Sequence, residues 1–273
     1  MLLYHRRDDK KKMKDKLKSN SKMTFSQFIK EFIQKNEVEN QKLSHLNEPI
    51  KTIQLESLRR ETSIEKRRLS DLFSVMTVLN ICTKICSQCY QWNSIDNIHN
   101  ALIDIGIKLE KKAIRMPFEK LFETGPSPPI GELTTKIIEV FVYFGERKMS
   151  LTLIAKLLAP NRERVKKVLR RVYLTSYFLE QFDIISHGEE RGIYQFNLDL
   201  NEISREVYQN LQNQPSHEFT ILNLLNRVDD TYINSQRMQR QFLLKMFFIH
   251  PDEFHRRVVN MNFHPFFLRE KLT

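Results

Sequence analysis

The chain has 273 residues and a formal net charge of +11 at pH 7. This length has room for two domains of about a hundred residues with additional helices, and the positive charge points to a polyanion or an acidic partner. The longest apolar run, interrupted by Lys245, is shorter than the roughly 18 residues of a membrane span, so we expect a soluble chain.

The first 22 residues form a basic segment, with nine Lys or Arg against three Asp and little apolar periodicity. This composition predicts a disordered arm. Contact with nucleic acid and a role in nuclear import are the alternative interpretations.

Two helices are predicted at the start of a first domain that covers residues 23–93. Apolar residues three or four apart predict a helix over 24–35 and a short second helix over 50–61. The polar stretch 36–48 between them is predicted to be a loop.

A third helix and a hairpin complete this domain. Thr62 and Glu65 have the spacing of a capping box, which predicts a helix that continues to about Asn80. Two short β-prone runs, 81–86 and 89–93, are separated by only two residues, as in a hairpin. This is the element order of a winged helix-turn-helix domain, whose third helix enters the major groove of DNA.

The cysteines of the chain, Cys82, Cys86 and Cys89, all fall in this hairpin, with His99 nearby. An odd number of cysteines without a secretory segment favours an intracellular, reducing compartment. A zinc site is the alternative, but the spacing is irregular and no second CxxC exists. We therefore expect no metal and no other cofactor.

Residues 94–124 are predicted to form a helical, dimerisation-type segment with a heptad-like apolar seam. We expect this seam to pack in one of three ways: on its own domain, on a helix of the other repeat, or on a partner chain. Residues 125–131, rich in Gly and Pro, are predicted to be a linker. The seam consists of Ile95, Ile98, Leu102, Ile105 and Leu109.

A second domain is predicted over residues 132–199. An apolar helix over 132–146 opens it, Ser150 caps a second helix, and Asn161 caps a basic third helix. The strands predicted to follow are 182–186 and 193–198.

The remaining residues, 200–273, are predicted to be a helical C-terminal extension that is rich in phenylalanine. It serves either as a cap over the second domain or as a docking surface for another subunit. The predicted helices are 203–211, 219–228, 233–248 and 251–259, and the aromatic residues are Phe242, Phe247, Phe248, Phe254, Phe263, Phe266 and Phe267.

The two domains align as a repeat. When Arg67 and Arg68 are placed on Arg170 and Arg171, the apolar residues keep their register through both helices into both hairpins. A repeat of this length indicates duplicated domains rather than a solenoid. The predicted fold class is therefore mainly α with small β-hairpins (α+β), as tandem winged helix-turn-helix domains with a helical C-terminal extension.

Long basic side chains cover the outer face of both third helices. Arginine can bind guanine edges with two hydrogen bonds, while lysine contacts to phosphates fix the register on the duplex. A solvated basic face is the alternative interpretation. The candidate DNA-binding residues are Lys66, Arg67, Arg68, Arg164, Lys166, Lys167, Arg170 and Arg171.

These third helices carry a resemblance to a known family. The first repeat matches the signature of the E-two-factor and DP family of cell-cycle transcription factors at Arg67, Arg68, Asp71, Val75 and Gln91-Trp92. The second repeat resembles the second domain of the atypical members, which carry two such domains in one chain. Its matching residues are Arg170, Arg171, Tyr173, Leu179, Glu180 and the run Glu189-Glu190-Arg191-Gly192.

The resemblance implies two winged helices that pair within one chain, need no DP partner and use both arginine pairs to read a GC-rich site. We therefore expect a sequence-specific regulator of transcription that binds double-stranded DNA in the nucleus. The sequence departs from the signature where Ser70 replaces its Tyr and Leu174 its Asp. These departures keep open a diverged scaffold subunit of a chromatin, replication or DNA-modification assembly, with protein partners at the apolar seam or the aromatic C-terminal helices. No catalytic motif is found, so we do not expect an enzyme.

Overall fold

The structure is a computed structural model that describes residues 23–46, 52–62, 64–159, 161–212 and 230–249. Several sequence predictions lie outside the described residues: the basic arm, the helices at 219–228 and 251–259, and Phe254, Phe263, Phe266 and Phe267.

The described chain is mainly helical, with two small antiparallel sheets of three strands each. The predicted α+β class is thereby confirmed. In chain order the elements are α1 (Phe25–Leu46), β1 (Thr52–Gln54), α2 (Leu55–Thr62), α3 (Lys66–Val78), β2 (Cys82–Lys84), β3 (Cys89–Trp92), α4 (Ile98–Ala113), α5 (Phe118–Leu121), α6 (Ile130–Phe144), β4 (Lys148–Ser150), α7 (Leu151–Leu158), α8 (Val165–Gln181), β5 (Ile185–His187), β6 (Ile193–Phe196), α9 (Leu200–Gln212) and α10 (Asp230–Ile249).

Two units of this chain repeat the same order of elements: helix, strand, helix, helix, strand, strand. Unit one runs from α1 to β3 and unit two from α6 to β6. In both sheets the last strand is central, with the first strand on one side and the hairpin partner on the other. Ile53 lies opposite Tyr90 in unit one, and Met149 lies opposite Tyr194 in unit two.

The third helix of each unit ends with the same hydrogen bond. The amide of Ile81 donates to the carbonyl of Met76 at 2.9 Å, and the amide of Ile184 donates to that of Leu179 at 3.1 Å. These pairs are 103 residues apart, which is also the separation of Arg67 from Arg170. The alignment predicted from the arginine pairs therefore holds in three dimensions.

The predicted loop at 36–48 is wrong, because α1 continues to Leu46. The polar residues of this stretch bind the end of the first sheet. The Glu37 carboxylate accepts hydrogen bonds from Trp92 Nε1 at 3.3 Å and from the Ile95 amide at 2.6 Å, and Asn40 Nδ2 donates to the Asn93 carbonyl at 2.6 Å. These tertiary bonds stabilise helix in a segment with no strong apolar stripe.

The start of the third helix also differs from the prediction. Thr62 is the last residue of α2, and its hydroxyl donates to the Leu58 carbonyl at 2.7 Å instead of capping α3. The capping box is therefore wrong, and Glu65 precedes α3 without a side-chain cap. The predicted second helix is shorter than expected because residues 52–54 pair with β3 as a strand.

Of the two helix caps predicted in unit two, that of Ser150 is confirmed and that of Asn161 is wrong for α8 itself. The Ser150 hydroxyl accepts a hydrogen bond from the Leu153 amide at 3.1 Å at the start of α7. Asn161 Oδ1 accepts one from the Arg164 amide at 3.1 Å in the 3₁₀ turn Arg162–Arg164, and α8 begins after Arg164 without a side-chain cap. The Ser150 cap satisfies an amide that has no partner within the helix.

The units pack on each other reciprocally, since the first helix of each lies against the third helix of the other. Gly131 of α6 lies against Ser74 and Val78 of α3. The Ser26 hydroxyl of α1 donates to the side chain of Gln181 on α8 at 2.5 Å. Gln181 lies 103 residues after Val78, so the two contacts are equivalent.

The helices outside the units complete one continuous core. α4 and α9 pack along each other, and both contact α6, as does α10. Leu102, Ile105 and Leu109 of the predicted seam are buried within the chain by these contacts. In the described part of the chain, no helix has the length and apolar character needed to cross a bilayer.

Candidate nucleic-acid interface

The two basic helices, α3 and α8, contact each other where the units meet. On α3 the buried stripe consists of Leu69, Leu72, Phe73, Val75 and Met76. A helix turns by about 100° per residue, so the residues between these positions face outward. Lys66, Arg67 and Arg68 are all exposed.

α8 follows the same pattern, with Val168 and Val172 buried beneath its basic face. Lys166, Lys167 and Arg170 are exposed, whereas Arg164, in the short 3₁₀ turn that precedes α8, is half-buried. The structure therefore places six of the eight predicted residues at the surface of α3 and α8. The half-buried pair is Arg164 and Arg171.

The second arginine of each pair turns toward the start of the first helix of its own unit. The Arg68 guanidinium lies 5.7 Å from the centre of the Phe25 ring, within the range of a cation–π contact. Arg171 Nη1 donates to the Ser127 hydroxyl at 3.0 Å, and Ser127 lies shortly before α6. The first arginines, Arg67 and Arg170, are therefore the more available members of the pairs.

Arg171 has an incomplete set of hydrogen bonds. Its Nε atom is buried and has no hydrogen-bond partner within the described part of the chain. A buried guanidinium N–H without an acceptor carries a desolvation cost. Asp71 on α3 compensates part of this cost, because its carboxyl group interacts electrostatically with the Arg171 charge.

Asp71 is the acidic residue at the contact between α3 and α8. Partial burial raises the pKa of its carboxyl group, and the positive charges of Arg67 and Arg171 oppose that rise. A carboxylate that interacts with one arginine from each unit shows that the two basic faces share one electrostatic environment. We name Arg67, Arg68, Asp71, Arg170 and Arg171 the paired-helix face.

Two contributors to this face were missed in the sequence. They are Phe25, within the helix predicted over 24–35, and Ser127, within the linker predicted over 125–131. The sequence does distinguish Ser127 in one respect, because it is the only Ser or Thr in the chain that is directly followed by Pro.

The hairpin of unit two lies beside α8 through a chain of polar contacts. The hydroxyl of Tyr194 lies 2.7 Å from His187 Nε2, and His187 Nδ1 pairs with the Glu180 carboxylate of α8. Burial raises the pKa of Tyr194 to about 12, so its hydroxyl keeps its proton at neutral pH. These contacts fix the angle of the hairpin relative to the basic helix.

The cysteines do not gather around a metal position. Cys86 and Cys89 form a disulfide at the tip of the first hairpin, where free thiols were expected, and Cys82 is buried below it. Burial raises the pKa of the Cys82 thiol to about 12. Among the described residues, no group of three or more His, Cys, Asp or Glu side chains is arranged to hold a metal ion.

Comparison with known proteins adds no relative: no family model, no curated protein and no solved structure matches this chain.

Proposed function

We propose that the chain is a sequence-specific regulator of transcription that binds double-stranded DNA through two winged helices paired within one polypeptide. The element order of each unit and the central last strand of each sheet support this assignment. The observation that carries the proposal is the paired-helix face, where two basic helices from equivalent positions lie in contact with their first arginines exposed.

In the proposed complex, α3 and α8 enter neighbouring segments of one major groove. Arg67 and Arg170 donate to the acceptor atoms of guanine edges, and Arg68 supports the contact from the side of Phe25. Lys66, Lys166 and Lys167 neutralise phosphates and fix the register. The GC-rich site, membership of the E-two-factor and DP family and action in the nucleus are parts of the same proposal.

The test is selection of bound sites from a pool of random DNA duplexes by the full chain. We expect the unmodified chain to recover one motif, with log K falling by roughly 0.9 per neutralised phosphate as log salt rises. The double variant Arg67→Ala/Arg170→Ala should lose the motif and keep weak general affinity, because phosphate contacts remain.

The matched control removes the same amount of positive charge from another exposed helix. Lys108→Ala/Lys111→Ala changes two exposed residues of α4, which packs on α6 and α9. This variant should select the same motif as the unmodified chain. An Arg67→Ala/Arg170→Ala chain that still selects that motif rejects the proposal.

A second candidate function, that of a scaffold subunit in a larger assembly, has its own supporting observation. The outer face of α10 exposes Met238 at 71% and Phe242 at 45% of their surface, one helical turn apart. Replacing both residues with Ser should abolish co-purification of the chain with an assembly while DNA affinity stays unchanged. If the variant still co-purifies with the assembly and still binds DNA with unchanged affinity, the support for a scaffold is removed.

A further inference from the structure

Ser127 joins the linker between the units to the paired-helix face. Its side chain is exposed, and its hydroxyl accepts the hydrogen bond from Arg171 Nη1 at 3.0 Å across 44 residues of sequence. Pro128 follows it directly, and no other Ser or Thr of the chain precedes a Pro. Proline-directed protein kinases recognise this dipeptide, so the chain offers them one acceptor.

Arg171 is suited to a stronger acceptor than a hydroxyl. Its Nη1 is bound to Ser127, but its buried Nε lacks a hydrogen-bond partner within the described residues. A phosphoryl group supplies three acceptor oxygens and about −1.5 to −2 charges at pH 7, and guanidinium binds phosphate with paired hydrogen bonds. A phosphate on Ser127 can therefore bind the Nη1 end of the guanidinium with stronger, charge-assisted hydrogen bonds, whereas Nε, whose N–H points away from that end, gains only from the added negative charge.

The backbone around Ser127 allows a kinase to reach it. Between Gly125 and Pro128 the described structure has no backbone–backbone hydrogen bond, and prolines 126 and 128 have no amide to donate. The space where Gly125 would carry a Cβ is open. Pro128 itself is buried, so the segment has to lift from the surface before a kinase can read this proline, and no backbone hydrogen bond between Gly125 and Pro128 has to break for it to do so.

We propose that Ser127 is a phosphorylation site for a proline-directed protein kinase and that the phosphoserine pairs with Arg171 to weaken DNA binding. The Ser127 oxygen attacks the γ-phosphorus of a nucleoside triphosphate. An O–P bond forms, the bond from the γ-phosphorus to the β–γ bridging oxygen breaks, and the nucleoside diphosphate leaves. The hydroxyl proton passes to the catalytic carboxylate of the kinase.

The consequence for DNA rests on the proposed function. Phosphoserine neutralises Arg171 and places excess negative charge on a face whose other arginines are proposed to contact DNA. The affinity for the selected duplex should fall roughly tenfold, because the added negative charge beside Arg67 and Arg170 repels the DNA backbone.

The first experiment treats the full chain with a proline-directed kinase and ATP and locates the added phosphate by mass spectrometry. We expect one phosphate per chain on Ser127 and none in a Ser127→Ala variant. The proposal is overturned if no phosphate is incorporated, or if incorporation is equal in the variant.

The second experiment separates the site from its effect on DNA. Phosphorus-31 NMR should give a lower second pKa for the phosphoserine in the unmodified chain than in Arg171→Gln, because the guanidinium favours the dianion. Equal pKa values overturn the pairing. Equal affinity of phosphorylated and unphosphorylated chains for the selected duplex overturns the regulation.

A failure of the proposed function gives a different result. In that case the unphosphorylated chain selects no DNA motif, yet the mapped phosphate and the phosphorus-31 titration still decide whether Ser127 is modified and pairs with Arg171.

Discussion

Asn93 donates its side-chain amide to both the carbonyl oxygen and the side-chain oxygen of Asn80, at 3.1 and 3.3 Å. Asn80 has a φ of 56°, a left-handed conformation that costs most residues with a Cβ. Unit two repeats the arrangement, since Asn197 binds the same two oxygens of Asp183, also at φ 56°. The turn from the basic helix into the hairpin is thus built identically in both units.

Replacing Asn80 with Ala should destabilise the chain by about 1–2 kcal/mol, because alanine disfavours the left-handed conformation and cannot accept the Asn93 hydrogen bond. Asn80→Gly should cost less, since glycine adopts this backbone freely. Urea unfolding of both variants measures the difference. Equal stabilities would show that the conformation carries no cost.

Gly106 of α4 sets the distance to α9. A Cβ added at this position would lie 2.5 Å from Cγ2 of Val207, so Gly106→Ala should destabilise the chain by about 1–3 kcal/mol through overpacking. Combining it with Val207→Ala removes the clash. The double variant should be more stable than the sum of the single losses predicts, and additive losses in a double-mutant cycle contradict the contact.

Glu110 and Arg240 form a buried ion pair that connects α4 to α10. Both nitrogens of the guanidinium fork donate to the carboxylate at 2.7 Å, and the fork lies 4.0 Å from the centre of the Tyr143 ring. Glu110→Gln leaves a buried arginine without its counter-charge and should cost about 3–5 kcal/mol in urea unfolding.

Two variants show whether burial is responsible for that cost. Glu110→Leu/Arg240→Met removes both charges and should recover most of the loss. Glu56→Gln breaks the exposed pair with Arg59 on α2 and should change stability little. Similar effects of Glu110→Gln and Glu56→Gln argue against a stabilising role of the buried pair.

The carboxyl group of Asp71 has a folded-state pKa above its usual 3.8, mainly because of burial. The folded chain therefore binds this proton more tightly than the unfolded chain, and the ionised group lowers stability at pH values above the raised pKa. Asp71→Asn should make the chain more stable at pH 7. The gain should shrink as the pH falls through the raised pKa and vanish below 3.8.

Urea unfolding from pH 7 to below pH 3.8 checks this dependence. Asp104→Asn, at an exposed position of α4, serves as the control for the general effect of removing a carboxylate. If Asp71→Asn is no more stabilising than the control at pH 7, the cost assigned to burial is wrong.

Cys82 should resist alkylation in the folded, reduced chain. Its side chain is buried and its thiol pKa is raised to about 12, so almost no thiolate is present at neutral pH. Cys86 is exposed and Cys89 is half-buried, and both should react with iodoacetamide after reduction. Mass spectrometry should find Cys82 modified only in urea, and rapid labelling under native conditions would contradict its burial.

Much of the fold follows from apolar spacing, which predicted α3, α6 and α8 because their buried stripes are continuous. The strands β1 and β4 were missed, since they are short, have no hairpin partner next to them in the sequence, and are ordered by pairing with the distant β3 and β6. The extension of α1 depends on the hydrogen bonds of Glu37 to Trp92 and Ile95. Local sequence contains no trace of such contacts.

The candidate site was predictable in part. Helical periodicity placed Arg67 and Arg170 on outer faces, and both are exposed. Periodicity did not distinguish them from Arg68 and Arg171, because only the folded chain shows that Arg68 lies over the Phe25 ring and that Arg171 is half-buried and bound to Ser127. The bond from Arg171 to Ser127 spans 44 residues and depends on how the linker approaches α8.

The reciprocal packing of first and third helices has a consequence for recognition. Because α3 and α8 are held by a shared core, their separation is set during folding. DNA binding therefore does not have to order the two helices relative to each other. Under the proposed function such a preorganised pair tolerates a single spacing of half-sites. One base pair inserted between them rotates one half-site by about 34–36° and moves it out of reach of the second helix.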